Sequence, residues 1–165
     1  MGVVIVSWTE EQLFSSKKHD WETPQPLFDA LNEEFHFGLD VASSEHNAKC
    51  SRFFTADDVA LMQDWGGHGS VWCNPPYGRG IGDWIQKCAL EGQRTTVVAL
   101  VFARTDTQWF HDWIVPHAYE VRFIKGRLRF SRGGDVGGPA PAPSMIVIWN
   151  PLPENDLRVR AMEQP

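Results

Sequence analysis

The residues with the densest chemistry in this chain are Asn74-Pro75-Pro76-Tyr77. The side-chain oxygen of Asn74 is an acceptor, and so is the carbonyl of Pro75, whose position the Pro-Pro pair restricts. Two convergent acceptors suit a donor with two hydrogens, such as an exocyclic amino group. Tyr77 offers a flat face on which a heterocycle can stack. An aryl amine is a poor nucleophile because its lone pair is delocalised into the ring. Acceptors on both N–H bonds favour a pyramidal nitrogen and help it attack an electrophilic carbon.

Such a loop must be held by its neighbours. Residues 71–73 are apolar, like the end of a buried strand, and prolines end strand pairing because they lack the N–H. The loop then sits at the carboxyl end of a sheet strand, where ligands bind in open α/β folds. Behind it, Ile81, Trp84, Ile85, Cys88 and Ala89 share one helical face, with Gly92 as the C-terminal cap and Trp84 as core packing. Thr23-Pro24 opens a helix near 24–35, with Thr23 as the cap and Leu27, Phe28, Leu31 and Phe35 facing the core. Residues 37–41 read as a short strand ending in Asp40, and 51–54 as a second one. Thr55 to Asp58 resembles a capping box opening a helix to about Asp64. The β-branched run 95–102 predicts a strand buried on both faces, followed by a helix carrying Trp109, Phe110, Trp113 and Ile114 and stopped by Pro116. Residues 119–130 alternate as a strand, with Gly126 a bulge or turn. The Gly- and Pro-rich stretch 131–143 predicts an extended, mobile loop, and 144–149 the last strand.

These elements predict one α/β domain, a three-layer sandwich with a mostly parallel sheet and a C-terminal antiparallel hairpin. Residues 1–20 read as an N-terminal extension, 21–150 as the domain and 151–165 as a polar C-terminal tail. The chain has 165 residues, 42% of them hydrophobic, enough for one core; eight tryptophans and ten phenylalanines exceed what that core needs, so some aromatics should line a site. No apolar run suits a membrane span or signal peptide, and three scattered cysteines indicate no disulfide framework, which predicts a cytoplasmic protein. His46 and Cys50 are spaced like a ligand pair, but no second pair completes a metal site.

The formal charge of −6 hides an asymmetry. Residues 1–65 carry 12 acids and 4 bases, whereas residues 122–132 carry five bases and no acid. A local basic stripe matters more for phosphate binding than the total. Arg79, Arg104, Lys125, Arg127 and Arg129 are the expected nucleic-acid contacts, against the plainer reading of a solvated face.

Asn74-Pro75-Pro76-Tyr77 resembles the motif of S-adenosylmethionine-dependent amino-methyltransferases. Trp21-Glu22-Thr23-Pro24, Leu39-Asp40-Val41-Ala42, the Asn74 loop with Trp84 behind it, the stretch 101–110 and Gly126-Arg127-Leu128 together, in that order, resemble the compact phage-type DNA N-6-adenine methyltransferases. The resemblance runs from about 20 to 149. It implies a Rossmann-like methyltransferase fold, S-adenosyl-L-methionine as cofactor, double-stranded DNA as partner, no metal, and methyl transfer to adenine N6. Asn74, Pro75, Pro76 and Tyr77 would be the catalytic loop. Thr23, Pro24, Asp40, Ala42, Asp57 and Asp58 would border the cofactor, although Thr23-Pro24 and Asp57-Asp58 also read as helix caps and Asp40 as a turn residue. The Gly-x-Gly loop of such folds is missing; Ala42-Ser43-Ser44 stands in its place. The motif leaves cytosine N4, RNA, protein glutamine or a non-catalytic DNA-binding module as alternatives.

Overall fold

The computed structural model describes residues 21–152 and 156–165; the predicted extension at 1–20 lies outside the described residues. Helix α1 (Gln25–Phe35) buries Leu27, Phe28 and Leu31, which recur on one face. Its N-cap is Pro24 and not the expected Thr23, whose side chain is buried instead. Pro26 falls in the first turn, where a missing N–H costs no helical bond. His36 ends the helix in the left-handed conformation, and the Asn32 side chain accepts the Phe37 N–H at 2.8 Å, turning the chain into the sheet.

The sheet holds β1 (Phe37–Asp40), β2 (Ser70–Cys73), β3 (Val97–Phe102), β4 (Glu120–Ile124), β7 (Ser144–Trp149) and β8 (Arg158–Met162), in the order β1-β2-β3-β7-β4-β8. A separate two-stranded ribbon pairs β5 (Ser131–Arg132) with β6 (Asp135–Val136). Strands β1, β2 and β3 are parallel, β7 is antiparallel to both β3 and β4, and β8 is parallel to β4. Five strands therefore point one way and β7 alone runs against them. The result is a mixed α/β fold with a mostly parallel central sheet.

Strands β2, β3 and β7 lie in the middle and are covered on both sides. Val97, Ala99 and Val101 face helix α2 (Ile81–Glu91), joining Ile85, Cys88, Met145, Val147 and Trp149. Val98 and Leu100 face α1, joining Leu27, Phe28, Leu31, Trp72, Ile146 and Ile148. This period-two division explains the continuous apolar run in β3. Each fully buried Leu, Ile or Val contributes about 1.5–3 kcal/mol of transfer free energy.

Several elements differ from the sequence reading. β4 stops at Ile124 and does not continue to 130, because Gly126 has φ +77° and turns the chain away from β7. The strand predicted at 51–54 shrinks to one bridge between Phe53 and Asp40. The helix predicted from the capping box is two 3₁₀ turns, Ala56–Asp58 and Ala60–Met62, separated by Val59 at φ 50°. The helix after β3 includes a π turn at Phe110–Ile114. Gly92 does end α2, but in the right-handed region; its role is steric, since a Cβ there would stand 2.3 Å from that of Trp149. The stretch 131–143 includes the β5–β6 ribbon, tipped by Gly133 and Gly134 at positive φ, and residues 158–162 of the expected tail form the edge strand β8.

Gly38 marks the tightest backbone approach. A Cβ on it would lie 1.7 Å from the His68 carbonyl oxygen, next to a register irregularity between β1 and β2. Gly38→Ala should therefore destabilise the fold by about 3 kcal/mol, read as a lower denaturant midpoint at unchanged slope.

Candidate active site

The carboxyl ends of β1, β2 and β3 share one edge of the sheet, and the loops that follow them form the site. Val71, Trp72 and Cys73 are buried, as are Pro75 and Pro76, so the Asn74 loop starts from a rigid base. The Asn74 amide Nδ2 donates to the Trp21 carbonyl at 2.8 Å. A backbone carbonyl only accepts, so this bond fixes which end of the amide is nitrogen and leaves Oδ1 as an acceptor. The Tyr77 hydroxyl lies 3.2 Å from both Asn74 Oδ1 and the Leu100 carbonyl. Burial pushes the Tyr77 phenol well above its ordinary pKa, so it stays a donor.

The Tyr77 ring also has partners within the chain. One face of the ring is stacked on Phe102, with centroids 4.3 Å apart, and Phe130 packs edge-on at 6.0 Å. Its hydroxyl is turned inward, which makes the residue a support for Asn74.

A cavity of about 400 Å³ opens beside this loop. Its walls are the loop 41–47, the turns at 55–61, Asn74, Pro76, Trp84 and Trp21. Of the residues expected at a cofactor, Ala42 and Asp57 line it. Thr23 and Pro24 do not; their neighbour Trp21 does. Asp58 is committed to the cap, its carboxylate accepting from the Thr55 N–H and hydroxyl at 2.7 and 2.9 Å. Asp40 does not reach the cavity either. Its carboxylate accepts from the backbone N–H groups of Ala42 at 3.2 Å and Lys49 at 3.0 Å, tying together both ends of the loop that forms the wall. Burial is the larger influence on this carboxyl and raises its pKa from 3.8 to about 6, against the two N–H donors that favour the anion.

The basic residues divide. Arg122 is bound into an ion-pair network with Glu34 and the buried Glu120, and holds the Glu34 carboxyl below its usual range. Lys125 pairs with Glu163 at 3.2 Å. Arg127 donates to the Ala140 carbonyl at 3.3 Å and Arg129 to that of Gly137 at 3.4 Å, stapling the two sides of the 127–140 excursion while remaining exposed. Arg79 and Arg104 are exposed on the loops after β2 and β3. Among the described residues no group of three His, Cys, Asp or Glu side chains could hold a metal ion, and Cys50 faces the Phe37 carbonyl. No helix among them is long and apolar enough to cross a membrane. Sequence reasoning missed Trp21 and Ser43 and took Trp84 only as packing; Trp84 is indeed in the core but also walls the cavity.

The site is thus a loop with a fixed amide, set beside a cavity of mixed polar and apolar wall on the carboxyl edge of a mostly parallel sheet. Residues 10–163 match the family described as DNA N-6-adenine-methyltransferase (Dam), and the chain belongs to that family. It is 33% identical over 111 residues to the DNA N-6-adenine-methyltransferase of Escherichia phage T1, covering 66% of this chain and 45% of that protein. It is also 40% identical over 63 residues to YfdM of Escherichia coli (strain K12), provisionally named a methyltransferase, covering 34% of this chain and 69% of that protein. The chain thus spans less than half the length of the phage relative.

The Asp40 carboxyl binds a proton more readily in the folded chain than in the unfolded one. Its favourable contribution is therefore complete below about pH 4 and lost as pH rises through about 6. Relative to Asp40→Asn, which cannot titrate, the wild type should lose up to about 3 kcal/mol of unfolding free energy between about pH 4 and pH 7. Denaturant titrations of both proteins across that range would check it.

Proposed function

We propose that the chain transfers a methyl group from S-adenosyl-L-methionine to the N6 amino group of adenine in double-stranded DNA, in a Rossmann-like methyltransferase fold. The observation that carries this reading is the Asn74 amide, locked by the Trp21 carbonyl so that Oδ1 and the neighbouring Pro75 carbonyl can accept the two amino hydrogens at the cavity rim. Membership of the Dam family supports adenine in DNA as the acceptor. The cavity also suits a cofactor with polar and apolar parts, since its wall sets Ser44, Asn47, Thr55 and Asp57 beside Val41, Leu61 and Trp84. Ala42, Asp57 and Trp21 would border that cofactor, and Asp40 would act on it through the loop. The cofactor supplies an electrophilic methyl on a sulfonium that is already a good leaving group.

What the chain's own residues do is bind and orient. Asn74 Oδ1 and the Pro75 carbonyl draw on the amino hydrogens, which localises the nitrogen lone pair for attack. Tyr77, braced by Phe102, keeps Asn74 in place. A paired base cannot reach this rim, so the adenine must be rotated out of the helix by about 180°, at a cost of a few kcal/mol. Backbone contacts from Arg79, Arg104, Arg127 and Arg129 would offset that cost, with Lys125 weakened by its pairing to Glu163. Such an enzyme works in the cytoplasm, where the DNA is. Mass spectrometry of nucleosides and peptides after incubation with labelled cofactor tests the acceptor: label on N6-methyladenine from DNA is expected. Label on cytosine, RNA or glutamine instead would overturn it.

Two variant experiments follow from the geometry. Asn74→Ala should cut turnover on the order of a hundredfold while changing cofactor affinity little. Asn74→Asp keeps an acceptor but sets a carboxylate oxygen against the Trp21 carbonyl, and should also lose turnover. Changing Arg127 and Arg129 together to Gln keeps donors for the Ala140 and Gly137 carbonyls but removes two charges. It should weaken binding to all DNA sequences alike and flatten the salt dependence by about two units.

A further inference from the structure

Trp21 is 43% exposed, which leaves a large apolar surface of its indole in water. Exposed apolar side chains standing singly are ordinary on a protein. What distinguishes this one is its place. It lines the cavity together with Asn74 and Pro76, and its carbonyl accepts the bond that orients the Asn74 amide. The ring is held from the side: Phe130 packs edge-on with centroids 6.2 Å apart, and a Cβ on Gly137 would stand 3.9 Å from Trp21 Cζ3. Both contacts come from the 127–140 excursion that carries Arg127 and Arg129. The neighbouring backbone is pinned as well, by the Glu22–Ser131 bridge and by the Glu22 carboxylate on the Gly133 N–H at 3.1 Å. Other aromatic residues of the site have less surface to offer. Trp84 is 4% exposed, and the half-buried Tyr77 has Phe102 stacked on its ring at 4.3 Å and Phe130 edge-on at 6.0 Å.

An adenine rotated out of a duplex leaves its stacked neighbours behind and needs a new flat partner. With its amino group at Asn74 Oδ1, the base lies over the residues around that side chain, and Trp21 is bonded to the same amide. We infer that Trp21 is a base-contacting residue, whose indole provides a face on which the extruded adenine stacks while Asn74 and Pro75 hold the amino group. That role rests on the reading of Asn74 as the acceptor of the amino hydrogens. Trp21 then serves the base twice, through its carbonyl by orienting the amide and through its ring by stacking. The two duties are separable, because a substitution of the side chain leaves the carbonyl in place. Stacking tolerates any base, so the ring adds affinity for an extruded base and leaves the choice of adenine to the groups that hold its amino hydrogens.

The test uses the full chain, S-adenosylhomocysteine and a duplex containing an adenine that the wild type methylates. For fluorescence, 2-aminopurine replaces that adenine; it brightens on leaving a helix and is quenched on an indole face. Its emission should stay low in the wild-type complex and rise severalfold with Trp21→Phe, whose phenyl ring stacks but quenches poorly. With the adenine duplex, Trp21→Leu keeps apolar bulk against Phe130 and loses the flat face. It should lower kcat/KM for DNA on the order of tenfold, and Trp21→Phe should recover most of that loss. Calorimetry should show the affinity for S-adenosylhomocysteine little changed in both variants. Where Trp21→Leu does not fold, the fluorescence of Trp21→Phe decides alone. Equal kcat/KM for the Leu and Phe variants, or unchanged emission with Trp21→Phe, overturns the inference and leaves the reading of Asn74 intact. A larger loss of S-adenosylhomocysteine affinity than of kcat/KM gives the ring to the cofactor and overturns it likewise. A wild type that methylates no adenine in DNA overturns both.

Discussion

Asp40 is placed under two opposed demands, and the shape of the site depends on how they balance. Its carboxylate is 2% exposed, which penalises the charge, yet it accepts backbone N–H groups from Ala42 and Lys49, which favours the charge. Those two bonds close a loop that has no regular structure of its own. The loop carries no Gly-x-Gly turn, so its path is set by this side chain and by the Asn47 side chain accepting from the Ser44 N–H at 2.7 Å. An acid at the end of a parallel strand can thus shape the wall of a cavity without lining it.

A second constraint complements the first. The Asn74 amide is held by a carbonyl 53 residues earlier in the chain, in a segment that is itself anchored. Glu22 forms a backbone bridge with Ser131, and its carboxylate accepts from the Gly133 N–H at 3.1 Å. Trp21 also packs edge-on against Phe130, 6.2 Å between centroids. The Asn74 loop, the approach to α1 and the β5–β6 ribbon are therefore one connected unit.

Much of this was legible in the sequence, because the signals were those that burial writes. The period of Ile81, Trp84, Ile85, Cys88 and Ala89 gave α2, and the apolar run before the prolines gave β2 and the loop after it. Other elements were illegible for physical reasons. Leu128 and Phe130 are buried while Arg127 and Arg129 are exposed, so the alternation is real, but it marks a segment hydrogen-bonded to residues 137–140 and not a continuation of β4 in the sheet. β8 pairs along one edge and leaves Arg158, Val159 and Arg160 exposed, so no face of it reads as core. Trp84 looked like packing because it is packing; nothing in residue type or spacing reveals that it also walls a cavity. Asp40 stood where an acid that binds a ligand would stand, and only the positions of the Ala42 and Lys49 N–H groups show that it is already engaged.

The reversed strand β7 has a consequence for how the chain is made. It lies in the middle of the sheet, between β3 and β4, yet in sequence it comes after both. A growing chain that has emerged only as far as β4 has two strands whose inner edges have nothing to pair with, because the strand that joins them is not yet present. Local pairs such as β2–β3 can form early, but the central layer closes only after residue 149, through contacts distant in sequence. Until then Val98, Leu100 and Val121 border an open seam, the kind of exposed apolar edge that invites association with other chains. The central sheet therefore closes only once β7 has been made, and that apolar strand acts as its keystone.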